Sequence, residues 1–216
     1  MKKIAVILSG NGVYDGAEIN EAVLTLLHIA KAGATYQCFA PDIDQMHTIN
    51  HLNGEPMNQS RNVLVEAARI ARGDIKPLTD LNAEHFDALI LPGGFGAAKN
   101  LCDFAVKGAD AQLQPDIKVA CQQFAARAKP AGYICIAPAM IPLIYSAGAK
   151  VTIGNDPDTA TAINTLGAEH INCAVDDIVV DEQHKLVSTP AYMLAESILE
   201  ADAGIEKLVK AVINMC

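Results

Sequence analysis

Short apolar runs that stop abruptly at small-residue turns decide what this chain can become. Lys3-Ile4-Ala5-Val6-Ile7-Leu8 ends in Ser9-Gly10-Asn11-Gly12, and Ala88-Leu89-Ile90-Leu91 ends in Pro92-Gly93-Gly94. A strand with one wet face alternates apolar and polar residues. A run that is apolar throughout is buried on both faces, as in a parallel sheet covered by helices. The intervening segments fit this reading. Glu18 to Ala32 carries Ile19, Val23, Leu26, Leu27 and Ala30 on one helical stripe, with Gly33 placed as its C-terminal cap. Thr35 to Ala40 reads as the next strand, which gives a β-α-β unit with parallel strands. Helical patterns recur from Arg61 to Arg72, from about Ile117 to Ala128, from about Thr159 to Leu166 and from Ile205 to Met215. Ile178-Val179-Val180 and Lys185 to Thr189 flank the turn Asp181-Glu182-Gln183-His184, a β-hairpin signal. The expected fold is α/β: a doubly wound, mostly parallel, flavodoxin-like sheet with helices on both faces, plus the small hairpin.

The 216 residues form one expected domain, 1–216, because no Pro/Gly/Ser linker divides them. Residues 41–60 are polar and turn-rich and read as an insertion. A net charge of −9 disfavours nucleic acid and anionic membranes, both polyanions. No apolar stretch has the length of a membrane span, and the Lys2-Lys3 start lacks the long apolar region and cleavage site of a signal peptide. Six scattered cysteines without C-x-x-C spacing suit free thiols in a reducing compartment, so a cytoplasmic location is expected. His47 and His51 stand four apart with no third ligand, so no metal is expected. The Gly10-x-Gly12 turn places its third glycine too late for a dinucleotide fingerprint, and no cofactor is expected.

The chemistry points to Pro130 to Met140. A short apolar run, Tyr133-Ile134, stops at Cys135, and Ile136-Ala137-Pro138 leads into an apolar helical stretch from Ala139 to Tyr145. Strand, sharp turn and helix in that order display a nucleophile at the top of an α/β sheet. Cysteine at a helix N-terminus has a depressed pKa, so Cys135 is expected to be the most reactive of the thiols. Ligands of such sheets bind beyond the carboxyl ends of the strands. Three turns meet there: Ser9 to Glu21, Pro92 to Ala98, and Cys135 to Pro138.

Pro92-Gly93-Gly94-Phe95-Gly96-Ala97, Cys135-Ile136-Ala137-Pro138 and Gly16-Ala17-Glu18-Ile19-Asn20-Glu21 resemble the PfpI superfamily of class I glutamine amidotransferase-like proteins. Val13-Tyr14-Asp15-Gly16, Ile49-Asn50-His51-Leu52 and Thr189-Pro190-Ala191-Tyr192 are similar to its ElbB subfamily, over essentially the whole chain. The resemblance implies a homodimeric glyoxalase that needs no glutathione and turns glyoxal into glycolate. It implies Cys135 as nucleophile, Glu21 as the acid beside it, and the backbone N–H groups of Gly94 and Ile136 as oxyanion hole. Two departures stand out. Ile136 occupies the place where many relatives have His, and Thr152-Ile153-Gly154 supplies none either. A binding or regulatory protein of isoprenoid metabolism is therefore the alternative. Glutamine amidotransfer, which needs a Cys-His pair, is a poorer one. Asp15-x-x-Glu18 resembles a capping box that would occupy Glu18 and leave Glu21 for the thiol.

Overall fold

The computed structural model describes residues 1–216. In chain order it contains β1 (Lys3–Ile7), α1 (Ile19–Lys31), β2 (Thr35–Ala40), α2 (Val63–Ile70), β3 (Ile75–Pro77), β4 (Ala88–Leu91) and α3 (Phe104–Lys107). Then follow α4 (Pro115–Ala126), β5 (Ala131–Ile134), β6 (Lys150–Val151), α5 (Pro157–Thr165), β7 (Glu169–His170), β8 (Val179–Asp181), β9 (Leu186–Thr189) and α6 (Ile198–Asn214). Seven strands form one sheet in the order β3-β2-β1-β4-β5-β9-β8, parallel except for β8. β6 and β7 make a separate two-stranded sheet that the sequence reading did not separate.

The apolar strands are explained by what covers them. A cluster of 31 buried residues lies on one face of the sheet and one of 24 on the other. Ile4, Val6, Ala88 and Ile90 serve one cluster and Ala5, Ile7, Leu89 and Leu91 the other, so neither face tolerates a polar residue. α1 and α6 pack together on the second of these faces. There the backbone of Gly204 approaches β9. A Cβ at that position would lie 2.5 Å from Thr189 Oγ1 and 2.8 Å from the carbonyl oxygen of Val175. Gly204→Ala is therefore expected to destabilise the chain by roughly 1–3 kcal/mol, despite alanine's better helix propensity. An unchanged denaturation midpoint would show that α6 can shift away.

α1 corrects one expectation. Ile19, Val23 and Leu27 of the predicted stripe are 45%, 48% and 43% exposed, while Glu21, Thr25 and His28 face inward. The helix is rotated because its first turn is tied to the loop leaving the central strand β4, where Glu18 N–H donates to Gly93 O. The expected capping box is also rearranged. Glu18 is itself the N-cap and accepts from the Glu21 N–H at 2.6 Å, whereas Asp15 accepts from the Ile49 N–H at 2.7 Å. That second bond folds the 41–60 segment over the Gly12 turn, with Gln45 and Thr48 buried.

Strand order reverses between β1 and β4, and the crevice at such a switch point is where open α/β sheets bind ligands. The loops leaving β1 and β4 are stitched together there. Glu18 N–H donates to Gly93 O at 3.0 Å, Phe95 N–H to Val13 O at 2.7 Å and Gly96 N–H to Gly16 O at 2.9 Å.

Candidate active site

Cys135 follows β5 directly. Its N–H continues the ladder to Thr189 O at 2.9 Å, and its own φ is +63°. That left-handed conformation costs a non-glycine residue roughly 1–2 kcal/mol and turns the side chain out of the strand. The following segment is a 3-10 helix, Ala137–Leu143, with Pro138 in its first turn and Pro142 inside. The expected helix is thus a seven-residue 3-10 helix rather than an α-helix. Cys135 remains 7% exposed, at the floor of a cleft of about 430 Å³.

Glu21 is fully buried beside it. Its carboxylate oxygens accept from the N–H of Gly93 at 2.9 Å and of Tyr192 at 3.2 Å. Gly93 separates acid and thiol so closely that a Cβ there would collide with Cys135 Cβ and lie 2.8 Å from Glu21 Oε2. Only glycine fits. The N–H groups of Gly94 and Ile136 both point to the Cys135 sulfur. Gly94 reaches that position with φ +92°, a conformation open to glycine. The structure thus brings Cys135, Glu21, Gly94 and Ile136 together.

Three features of the site lay outside the sequence reading. The Tyr192 N–H on Glu21 comes from the turn after β9. Asp156 and Thr159, from the start of α5, and Met193 line the cleft with Val13, Glu18, Phe95, Ile136 and Tyr192. Asp156-Pro157 is an N-cap followed by a proline at the first helical position, a signal that marks the helix start but not its neighbour in space. No histidine lines the cleft. No group of three or more His, Cys, Asp or Glu side chains is placed to hold a metal, and no helix is long and apolar enough to cross a membrane.

The electrostatics correct the expected acidic thiol. Burial raises the Cys135 pKa well above the ordinary value, and the Glu21 charge adds to it; the N–H groups of Gly94 and Ile136 pull the other way and do not prevail. Burial, with help from the Glu18 charge, also pushes Glu21 up to about 8. The resting pair therefore holds its protons near neutral pH rather than presenting a free thiolate. Cys38, Cys102 and Cys121 are pushed to about 12 by burial.

Glu21 has a consequence for stability. Its ordinary value is 4.5, so between about 4.5 and about 8 the folded chain holds a proton that the unfolded chain has released. Stability contributed by this group is complete below about 4.5 and is lost as pH rises through about 8. Glu21→Gln lacks the titration. Its stability relative to the parent should rise over that window by an amount on the order of several kcal/mol. Urea unfolding of both proteins at several pH values reads this slope. A difference that stays flat with pH would show that Glu21 is ionised throughout.

A nucleophile-bearing elbow at the carboxyl end of β5, one strand from the switch point, with two backbone N–H groups beside its sulfur, places the chain among the class I glutamine amidotransferase-like α/β proteins. No family model matches the chain. It is 43% identical over 99% of its length to the ES1 protein homolog, mitochondrial, of Rattus norvegicus, covering 84% of that protein. It is 43% identical over the same share to the glutamine amidotransferase-like class 1 domain-containing protein 3, mitochondrial, of Homo sapiens, covering 83% of it. Among solved structures, an isoprenoid biosynthesis protein with amidotransferase-like domain from Ehrlichia chaffeensis superposes with a TM-score of 0.93 at 35% identity, over 100% of this chain and 99% of that one. The chain belongs to the ES1 family of amidotransferase-like proteins. These names do not repeat the ElbB likeness. They also overturn the cytoplasmic expectation, since the relatives are named mitochondrial. Free cysteines fit any reducing compartment, so they could not have discriminated.

Proposed function

We propose that the chain is a cofactor-independent glyoxalase that converts glyoxal to glycolate without glutathione. The observation that carries this reading is the buried Glu21 carboxyl against the Cys135 thiol, with the Gly94 and Ile136 N–H groups converging on the sulfur below an open cleft. Sulfur adds to one aldehyde carbon as Glu21 takes the thiol proton, and the new oxyanion lies against the two N–H groups. Glu21 returns the thiol proton to that oxygen, which frees its carboxylate to take the proton of the carbon and deliver it to the neighbouring carbon through an enediol while the hydroxyl proton passes between the two oxygens, so one carbon is oxidised and the other reduced. Water releases glycolate from the resulting thioester and restores the thiol. A carboxyl with a pKa of about 8 suits this work, because it changes state close to neutral pH. The direct test is glycolate formation from glyoxal in the absence of glutathione. A second reading, regulation or binding in isoprenoid metabolism after the name of the Ehrlichia chaffeensis structure, is favoured by the lack of histidine at the cleft. A kcat/KM far below about 10⁴ M⁻¹s⁻¹ would support it.

We also propose a homodimer, supported by the exposed Ile19, Val23 and Leu27 on α1. Sedimentation is expected to give twice the chain mass, and Val23→Lys to halve it. A monomeric parent protein would refute the dimer.

A further inference from the structure

We infer that the Cys135 cleft selects carbonyl compounds that carry a cationic group beside an apolar body, and turns away those carrying a carboxylate or phosphate; this rests on the aldehyde reading above. The volume of about 430 Å³ lies in the ~300–1,000 Å³ range of sites that enclose whole small-molecule ligands. A two-carbon dialdehyde uses a small part of it, so the walls are available to the remainder of a larger molecule.

Glu18 and Asp156 are the charged side chains lining those walls; no Lys, Arg or His does. Each spends one oxygen on its own helix. Glu18 Oε2 accepts from Glu21 N–H at 2.6 Å, and Asp156 Oδ1 from Thr159 N–H at 2.8 Å. Asp156 is exposed to solvent and also takes the Thr159 side chain, and neither carboxylate accepts from any group beyond its own helix. The bonds from Thr159 hold the Asp156 carboxyl below its usual range, so it is ionised at neutral pH. The N-termini of α1 and α5 oppose the two carboxylates with about +0.5 charge each, which leaves a net charge of about −1. Phe95 and Tyr192 add aromatic faces, which attract cations. Phe95 already holds one: the Lys99 ammonium lies 5.0 Å from its ring centroid and bonds to Tyr14 O at 3.0 Å, without lining the cleft. The remaining lining side chains are apolar or neutral: Val13, Ile136, Met193 and Thr159. Glutamine, glutathione adducts and phosphorylated sugars would all bring an anion to these carboxylates with no cation to receive it.

The test reads the field at Cys135 without requiring turnover. Methanethiosulfonates of similar size, one ending in a quaternary ammonium and one in a sulfonate, are reacted with the full chain, and labelling of the Cys135 peptide is followed by mass. Rates are normalised to a small free thiol and to a neutral methanethiosulfonate. The cationic reagent is expected to react at least about tenfold faster than the anionic one, and Asp156→Asn, which keeps an N-cap, to lower that ratio severalfold. A ratio near one, a preference for the sulfonate, or no labelling of Cys135 by either reagent would each overturn the proposal. Failure of glyoxal turnover with the ratio intact would sink the glyoxalase reading alone.

Discussion

Cys135→Ala is expected to remove glycolate formation from glyoxal, with a loss of at least about 10³-fold in kcat/KM, because no other side chain at the cleft floor can form the hemithioacetal. Thr159 and Tyr192 also line the cleft, but the Tyr192 hydroxyl accepts from Asn20 Nδ2 at 3.1 Å and the N–H groups of Gly94 and Ile136 serve Cys135. Cys135→Ser separates geometry from nucleophilicity. Its hydroxyl keeps the place and the strained backbone, yet has no base strong enough to activate it. Its loss should therefore approach that of alanine. Both variants should keep the parent's cooperative unfolding, since Cys135, although part of the 24-residue cluster, is a small side chain whose place alanine or serine can occupy. Turnover by Cys135→Ala within tenfold of the parent would mean that the reaction runs without the thiol.

Glu21→Gln is expected to cost about 10²–10⁴-fold, the usual worth of a positioned acid-base group. The amide keeps the size of the side chain but cannot carry a proton from carbon to carbon. It also sets an NH₂ against the N–H of Gly93 or Tyr192, both of which donate to Glu21. The pH profile distinguishes lost chemistry from lost shape. In the parent, kcat/KM should climb as pH rises toward about 8, because the ionised carboxylate starts the reaction, and level off beyond. The apparent value belongs to the Glu21–Cys135 pair rather than to one residue. The glutamine variant should lose that inflection. Glu21→Asp, which restores the charge at a shorter reach, should recover the inflection at lower turnover. A parent profile that is flat between about pH 6 and 8 would exclude Glu21 as the base.

The parts of the fold that were legible in the sequence are those decided by burial on both sides. Thr35–Ala40 and Ala88–Leu91 appear in the structure with the expected bounds; Ala88–Leu91 is buried along its whole length, while Thr35–Ala40 is buried only over Cys38–Ala40. The elbow was legible as a strand that stops at Cys135. What followed it was not. Pro142 lies inside a 3-10 segment where apolar residues alone suggest an ordinary helix, and the pKa depression expected of Cys135 is overridden by burial and the Glu21 charge. The stripe on α1 misled for a related reason. Hydrophobic periodicity says that Ile19, Val23 and Leu27 share a face but not which way that face points. Here the direction is set by Glu18, whose N–H is held by Gly93 O and whose carboxylate holds Glu21 N–H. Glu21 lies opposite the stripe on the helical wheel and is inside because the stripe is outside. The cleft walls were the least legible. Asp156, Thr159 and Tyr192 come from segments far along the chain, and only the packing of α5 and the β9 turn against the elbow brings them over the thiol.

Rapid acid quenching of the protein during glyoxal turnover, followed by peptide mass mapping, tests the central claim most directly. Hemithioacetal and glycolyl thioester have the same mass, so either intermediate adds one glyoxal to the peptide that carries Cys135. That single addition should appear on the turnover timescale, decay as glyoxal is consumed, and persist longer in Glu21→Gln. Steady glycolate production with an unmodified Cys135 peptide, or with the added mass on Cys173 or Cys216, would contradict covalent catalysis at the elbow.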